Sequence, residues 1–413
     1  MNRIVLIGNG FDLAHGLSTS YKDFMYWYWG KIYTELSKCN KNTYSDGLCT
    51  FTIHDKLNTW DAFLSGKSID KKAFYEFPGK DNGIIRIYYT PFMVKIGQSI
   101  EMKGWVDIEN EYYRALNQEY FDSPEKLNKE FFIIRSNLIE YLTDVQLNKI
   151  GGIELNRCLR SKIMAPIREN EVAVSARSQF ISFIENRLDN INNIGNHSIG
   201  DLLGLTSDTE KYLDVRKFLR EQQEQIELFG IGTIIGNGFI PSSVLYPNRL
   251  MLLNFNYTNT ADLYIPQNNN IKYNFLINHI HGKLCNPNSI IFGYGDELDD
   301  NYKSIINVNN NEYLQNIKSI KYLETQNYRN MLEFIESAPY QIYIMGHSCG
   351  NSDRTLLNTL FEHKNCVSIK PFYYVKEDGS DNYLEIITNI SRNFTDMKLM
   401  RDRVVNKIYC EPM

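Results

Sequence analysis

Residues 1–24 read MNRIVLIGNGFDLAHGLSTSYKDF, and the fold class turns on them. Ile4-Val5-Leu6-Ile7-Gly8 is a strand-type apolar run that ends in Gly8-Asn9-Gly10. The segment after it predicts a helix with Asp12, His15 and Gly16 inside. A strand, a glycine-marked turn and a helix can cradle a nucleotide phosphate. Gly8 permits a sharp turn, Gly10 permits close approach, and the first N–H groups of the helix face an anion. The dinucleotide fingerprint wants a third glycine at its sixth position. Here that position is Leu13, and the next glycine is Gly16. The motif alone therefore fits a tight structural turn as well as a phosphate site. Asp12 would repel a pyrophosphate and suits a ribose hydroxyl or an ordered water better.

Further strand candidates are Arg249–Asn254, Phe275–His281, Ser289–Phe292, Gln341–Met345 and Val367–Val375, rich in Ile, Val, Leu and Tyr. Helical stretches such as Asp353–His363 and Asn382–Phe394 alternate with them, which predicts a parallel sheet covered on both faces. From about Trp27 to Gly230 the pattern changes to amphipathic windows at Asp107–Tyr120, Pro124–Ile150, Ser175–Asn192 and Leu213–Leu228. In the second window Leu127, Phe131, Ile134, Leu138 and Leu142 fall at steps of three and four, one buried helix face. A second Gly-x-Gly, Gly236-Asn237-Gly238, has no helix after it and reads as a loop returning to the sheet. The expectation is an α/β protein: a Rossmann-type parallel sheet from residues 1–26 plus 245–413, interrupted by a helical insertion at 27–244.

Composition narrows the function classes. A chain of 413 residues is too long for one small core. The net charge of -5, without a long Lys/Arg run, argues against nucleic-acid binding as the main task. No stretch approaches the roughly 18 consecutive apolar residues of a membrane span, and the N-terminal apolar run is too short for a signal peptide. Seven scattered cysteines with no C-x-x-C pair suggest a reducing, cytoplasmic setting.

Three later segments carry polar groups where strands end. In LLNFNYTNT (252–260), Asn254, Asn256, Thr258 and Asn259 follow an apolar strand, where open α/β sheets bind ligands. Taken alone, the segment favours an Asx-rich turn capping a helix at Asn259. In NHIHGKL (278–284), His279 and His281 share one face if the strand runs through both. A third zinc ligand at suitable spacing is not evident, so no metal site is assigned. His281, followed by Gly282, suits a general base; His279 suits a buried structural role. In YIMGHSCGNSDRTLLNTLFEH (343–363), a strand runs into Gly346-His347-Ser348-Cys349-Gly350, with Ser352 or Asp353 as helix N-cap. Ser348 would lie beside a phosphate or ribose. The Gly346–Gly350 stretch also matches a nucleophile elbow. Its required acid and histidine would be Asp353 and His363, both on the helix that follows, which speaks against that reading.

With these residues in view, the chain resembles the phage abortive-infection AbiH family. GNGFDLAHGLSTSYKDF, WVDIE at Trp105–Glu109, FNYTNT, HIHGKL, IFGYGDE and MGHSCGNSDRTLL carry the likeness. More remotely, the α/β part resembles the sirtuin-like NAD-binding fold, on which defence proteins that hydrolyse NAD are built. The sirtuin Gly-Ala-Gly-x-Ser is similar to Gly8-Asn9-Gly10-Phe11-Asp12, and its Ser-Gly-Ile-Pro to His15-Gly16-Leu17-Ser18. Its Asn-x-Asp is similar to Asn256-Tyr257-Thr258, its His-Gly to His281-Gly282, and its Gly-x-Ser to Gly346-His347-Ser348. Asp12 stands for Ser and Thr258 for Asp, the Pro is absent, and the zinc module of protein deacylases is missing.

The resemblance implies an anti-phage effector that hydrolyses NAD, its substrate and not a bound cofactor, at the nicotinamide–ribose bond. Asn256 and His281 would be catalytic. Gly8, Asn9, Gly10, Phe11, Asp12, His15, Thr258, Gly346, Ser348 and Asp353 would bind the nucleotide. Glu109 is either a polar contact or part of a solvated helix face, and the roles of Trp105 and Asp107 stay open. Control by a phage trigger, through oligomerisation or autoinhibition in the helical insertion, is expected of such an enzyme. The alternative is a sensor that binds NAD or an ADP-ribose derivative without cleaving it and gates a partner protein.

Overall fold

The protein is described as a computed structural model over residues 1–54, 85–103, 107–117, 123–149, 154–193, 240–266 and 275–413, with isolated positions 152, 217 and 221. Trp105, the Gly236–Gly238 turn and nearly all of the Leu213–Leu228 window lie outside these residues.

The chain opens with β1 (Asn2–Ile7). A three-stranded antiparallel sheet follows, made of β2 (Thr43–Ser45), β3 (Cys49–Ile53) and β4 (Ile85–Tyr89). The other strands are β5 (Leu250–Asn254), β6 (Phe275–His279), β7 (Tyr340–Met345) and β8 (Cys366–Pro371). With β1 they form one parallel sheet in the order β6-β5-β1-β7-β8. Counted in chain order that is 3-2-1-4-5, the doubly wound arrangement whose connections diverge on either side of the first strand. The crevice beyond the carboxyl ends of β1 and β7 is the place where such sheets bind ligands.

Every residue of β1, β5, β7 and β8 is buried, as continuous apolar runs in a parallel sheet require. Side chains alternate between two faces. Ile4, Leu6, Met251, Leu253, Ile342 and Ile344 pack under the helices Asn327–Ser337, Arg354–Glu362 and Tyr383–Arg392. Val5, Ile7, Leu250, Leu252, Tyr343 and Met345 meet the helix Arg157–Ile163 and Tyr264 on the other face. Arg3, fully buried, lies 4.0 Å over the Tyr343 ring. It donates to the Gln341 side chain and to the carbonyls of Ile163 and Ala165.

A further core joins the helices Tyr21–Lys38, Pro91–Lys103, Ile108–Leu116 and Pro124–Lys149 to the small sheet. Residues from beyond β6 complete it: Phe292 stacks on Phe131 at 4.6 Å and Tyr294 on Tyr113 at 3.9 Å. These stacks hold the helical segment against the carboxyl end of the parallel sheet.

Several elements differ from expectation. The region after Trp27 contains the small antiparallel sheet, in which only β3 alternates buried and half-exposed residues and β2 buries none, a weak pattern in sequence. Ser289–Phe292 is no strand, because a 3-10 turn at Pro287–Ser289 leads into it and Ile291 N–H donates to the His281 carbonyl outside any ladder. β8 stops at Pro371, where the proline removes a ladder donor. The first helix spans only Asn9–Ala14; His15 caps it and Gly16 turns the chain at φ 71°.

Gly346, at φ 73°, is where the crevice is sealed at its base. A Cβ there would lie 2.1 Å from the Phe11 nitrogen. Gly346→Ala is expected to destabilise the protein by at least about 2 kcal/mol, from left-handed strain plus backbone overlap. Urea denaturation of the variant beside the wild type measures it.

Candidate functional site

One open cavity of about 1200 Å³ lies at that crevice. Gly8, Asn9 and Asp12 line it from the turn and short helix after β1, and Asn256, Tyr257 and Thr258 from the loop after β5. His281 enters from the turn after β6, and Gly346, His347, Ser348 and Asp353 from the loop after β7. Asp107 and Glu109 close it from the start of the helix Ile108–Leu116. Five segments far apart in sequence thus meet in one place.

The glycines act differently from a phosphate cradle. Gly8 N–H donates to Met345, Gly10 N–H to the Gly346 carbonyl at 2.8 Å, and Phe11 N–H to Gly8. These three amides are occupied within the chain. A Cβ on Gly8 would lie 2.5 Å from His347 Cα, and one on Gly10 2.8 Å from Gly346 Cα. The glycines let the β1 and β7 loops interlock, and Gly10 does not line the cavity. Phe11 is fully buried in the core beneath the sheet. His15 is held at both ring nitrogens, by the Phe11 carbonyl and the Tyr264 hydroxyl, each at 2.8 Å. Phe11 and His15 therefore do not face the site, because the short helix turns them inward.

Asp12 does face it. Its Oδ2 accepts from the Thr258 hydroxyl at 2.7 Å, while its Oδ1, buried, has no hydrogen-bond partner among the described residues. Burial pushes its carboxyl up to about 6, against the pull of Thr258. The Asn256 side-chain amide donates to the Gly8 carbonyl at 2.9 Å, and Asn256 N–H donates to Asn254 Oδ1, an Asx turn. The turn and the cavity contact coexist in these residues.

The two histidines of NHIHGKL part company. β6 ends at His279, so strand alternation does not carry through to His281. His279 is buried between Asn254 and Asp262, at 3.2 Å from each. His281 Nε2 lies 3.1 Å from Asp353 Oδ1 and 3.3 Å from the Tyr322 hydroxyl. Gly282, at φ 86°, makes the turn; a Cβ there would sit 2.2 Å from the Ser289 carbonyl oxygen. Burial first, then the neighbouring Lys318 ammonium, lowers His281 below its usual range despite Asp353. A neutral imidazole that donates from Nε2 to Asp353 leaves Nδ1 as the acceptor. That is a base oriented by a carboxylate.

Asp353 begins the helix Arg354–Glu362, but its side chain makes no capping bond. It instead receives Lys318 Nζ at 2.8 Å, with His347 Nε2 3.7 Å away. His347 Nδ1 accepts from Cys349 N–H at 3.0 Å, which leaves the proton on Nε2. Lys318, 0% exposed, also reaches Glu109 Oε2 at 3.1 Å. Glu109 Oε1 accepts from Gly293 N–H at 3.0 Å. Burial alone would raise Asp353; Lys318 and His281 overcome it and hold the carboxyl well below its usual range. Burial pushes Glu109 up to about 7, opposed by Lys318 and aided by Asp353 and Asp107. Glu109 is thus a buried member of a charge cluster and not a solvated helix face.

Lys318 and His347 escaped the sequence reading. Lys318 sits in IKSIKYL with no motif around it, and His347 lies between Gly346 and Ser348 with no pattern of its own to mark it. Ser348 is exposed in the cavity wall. His363 bonds Glu336 at 3.1 Å and packs on Tyr340, at the opposite end of the helix from Asp353, so no elbow triad forms. Among the described residues no group of three or more His, Cys, Asp or Glu side chains is arranged to hold a metal, and no helix is long and apolar enough to cross a membrane.

A parallel sheet of this order, with an open cavity at its carboxyl edge, defines a doubly wound α/β protein. The chain belongs to the family Bacteriophage abortive infection AbiH, which it matches over residues 4–375. No curated protein and no solved structure matches it significantly.

Lys318→Met would leave Glu109 and Asp353 facing each other without a cation. A loss of about 3–5 kcal/mol is expected. Both carboxyls then rise above their unfolded values, so stability falls as pH climbs past those values. Urea denaturation near pH 6 and near pH 8 should show the larger deficit at the higher pH.

Proposed function

We propose that this abortive-infection protein hydrolyses NAD at the nicotinamide–ribose bond. The observation that supports the reading best is the meeting of Asn256 and His281 in one solvent-open cavity at the divergence point of the sheet. The cavity volume of about 1200 Å³ exceeds the roughly 300–1,000 Å³ of ordinary small-molecule sites and suits a dinucleotide.

The chemistry follows from the leaving group. When the ribose C1′–nitrogen bond breaks, its electron pair neutralises the pyridinium and nicotinamide departs uncharged. The ribose is left as an oxocarbenium-like cation that water must capture. Asp12 Oδ1 accepts from a ribose hydroxyl, and its charge lies near the developing cation. Asn256, tethered through its amide to Gly8, offers its carbonyl oxygen to the ribose or the water. His281 Nδ1 takes the water proton, and Asp353 steadies the imidazolium that results. Ser348 and Asn9 serve the remainder of the nucleotide from the cavity wall.

Purified protein incubated with NAD is expected to release free nicotinamide. His281→Ala and Asn256→Ala should each lower that rate by about 10²–10⁴-fold while ADP-ribose affinity changes only a few-fold. Because burial and the Lys318 ammonium lower His281 below the usual histidine range, the acid limb of the pH profile should lie on the acid side of an ordinary histidine's. Binding of NAD with no nicotinamide release, even with phage lysate added, would overturn hydrolysis in favour of a sensor that gates a partner.

A further inference from the structure

The glycine turn offers no seat for a phosphate. The amides of Gly8, Gly10 and Phe11 are bonded within the chain, and the helix that follows spans only six residues. Phosphate charge must then be met by side chains. Lys22, Arg114 and Arg392 line the cavity, and all three are exposed. Arg114 is engaged by Glu111 at 3.1 Å. Arg392 forms no ion pair with a carboxylate among the described residues; its Nη1 donates to Asn389 Oδ1 at 2.8 Å. Asn389 Nδ2 in turn donates to the Ser348 carbonyl at 2.9 Å. The guanidinium is thereby tied to the β7 loop, and it has more donors than this one bond uses. Lys22 stands in the first turn of the helix Tyr21–Lys38, where the helix dipole disfavours a cation. Its ammonium lies 6.0 Å from the Tyr26 ring and pairs with no carboxylate among the described residues. The carboxylates of the lining lie deeper: Asp12, Glu109 and Asp353 are buried and Asp107 is half-buried. Lys318 supplies one positive charge among them. Glu385 is exposed, but it precedes Arg392 by seven positions on the same helix, about 10 Å along the axis. The lining thus grades from acidic where it is buried to cationic where it is exposed. A cationic nicotinamide ribose is favoured in the first part and a pyrophosphate in the second.

We propose that Arg392, together with Lys22, is the phosphate site of the cavity: it takes a nucleotide by its pyrophosphate and sets the nicotinamide ribose toward the buried carboxylates. The inference rests on the reading above that the ligand is a nicotinamide dinucleotide. Arg392 meets phosphate oxygens with paired N–H donors, the fork geometry that guanidinium and phosphate share, and Lys22 adds a compact charge. The bond from Asn389 steadies the guanidinium before the ligand arrives, so less side-chain freedom is lost on binding. These cations act on binding and not on the bond that breaks, which is left to Asp12, Asn256 and His281. A cation in the last turn of a helix also complements the helix dipole. That role needs no ligand, so the two are separable.

The test titrates ADP-ribose into the whole protein by calorimetry and follows nicotinamide release in parallel. Arg392→Gln is expected to weaken ADP-ribose binding by about tenfold, and Lys22→Gln by about threefold. Added salt should weaken binding to the wild type more than to Arg392→Gln. Arg401→Gln makes the same change of charge on an exposed residue outside the cavity lining and should leave the affinity unchanged. In nicotinamide release, Arg392→Gln should raise the KM for NAD by a similar factor with kcat within about twofold. Release from nicotinamide riboside, which has no phosphate, should not change. Unchanged ADP-ribose affinity in Arg392→Gln overturns the inference and assigns the residue to the helix dipole. An equal loss in Arg401→Gln also overturns it, since net charge alone then explains the effect. Unchanged affinity in Lys22→Gln removes the lysine from the site. ADP-ribose binding that depends on Arg392, without nicotinamide release, upholds the phosphate site and ends hydrolysis. Nicotinamide release with a KM indifferent to Arg392→Gln keeps hydrolysis and ends the phosphate site. Neither binding nor release ends both.

Discussion

The buried ammonium of Lys318 is the contact on which the site depends. It binds Asp353 from the β7 loop and Glu109 from the inserted helix, and no water-exposed surface shares its charge. Stripping an ammonium of water costs several kcal/mol, so its two carboxylates have to be in place for the fold to close over it. That requirement fixes the helix Ile108–Leu116 against the carboxyl edge of the sheet. It also sets the charge pattern: the cation holds Asp353 in its ionised form and opposes the burial that pushes Glu109 up. Asp353 in turn holds His281 by Nε2, which fixes the imidazole's tautomer. One lysine thereby governs three titrating groups.

A second constraint works through backbone contact alone. The β1 and β7 loops touch at Gly8, Gly10 and Gly346 more closely than any side chain would allow. Their amides bond across the gap, and this seals the base of the crevice. The cavity opens above that seal, where Asn256 reaches across to the Gly8 carbonyl. The pattern that looks like a phosphate loop in sequence is spent on joining two neighbouring strands. Polar recognition is then left to side chains, chiefly Asp12, Thr258, Asn256 and His281. The aromatic stacks of Phe131 on Phe292 and Tyr113 on Tyr294 add the packing that keeps the inserted helices over the opening.

Much of the architecture was legible in the chain itself. Continuous apolar runs ending in Gly, Asn or His marked the central strands, because a strand buried on both faces has no polar side to show. The long helix at Pro124–Lys149 announced itself by its spacing. Asn256, His281, Ser348 and Asp353 were singled out because polar residues that end such strands collect at one edge of the sheet. The small antiparallel sheet was missed, since its strands are short and half-exposed. Phe11 and His15, which the resemblance would set on the nucleotide, turn inward from the short Asn9–Ala14 helix to the core and to Tyr264.

What the chain determined by itself is therefore its local periods: which runs are strands, where they stop, and which polar groups sit at their ends. What only the tertiary structure decided is the company those groups keep. Lys318 has no local signature because its significance comes from carboxylates 209 and 35 positions away. Glu109 stays open in sequence between a polar contact and a solvated face, because a helix period does not reveal what lies opposite. Desolvation and charge pairing act across space and depend on the assembled fold, so neither is written in the spacing of residues along the chain.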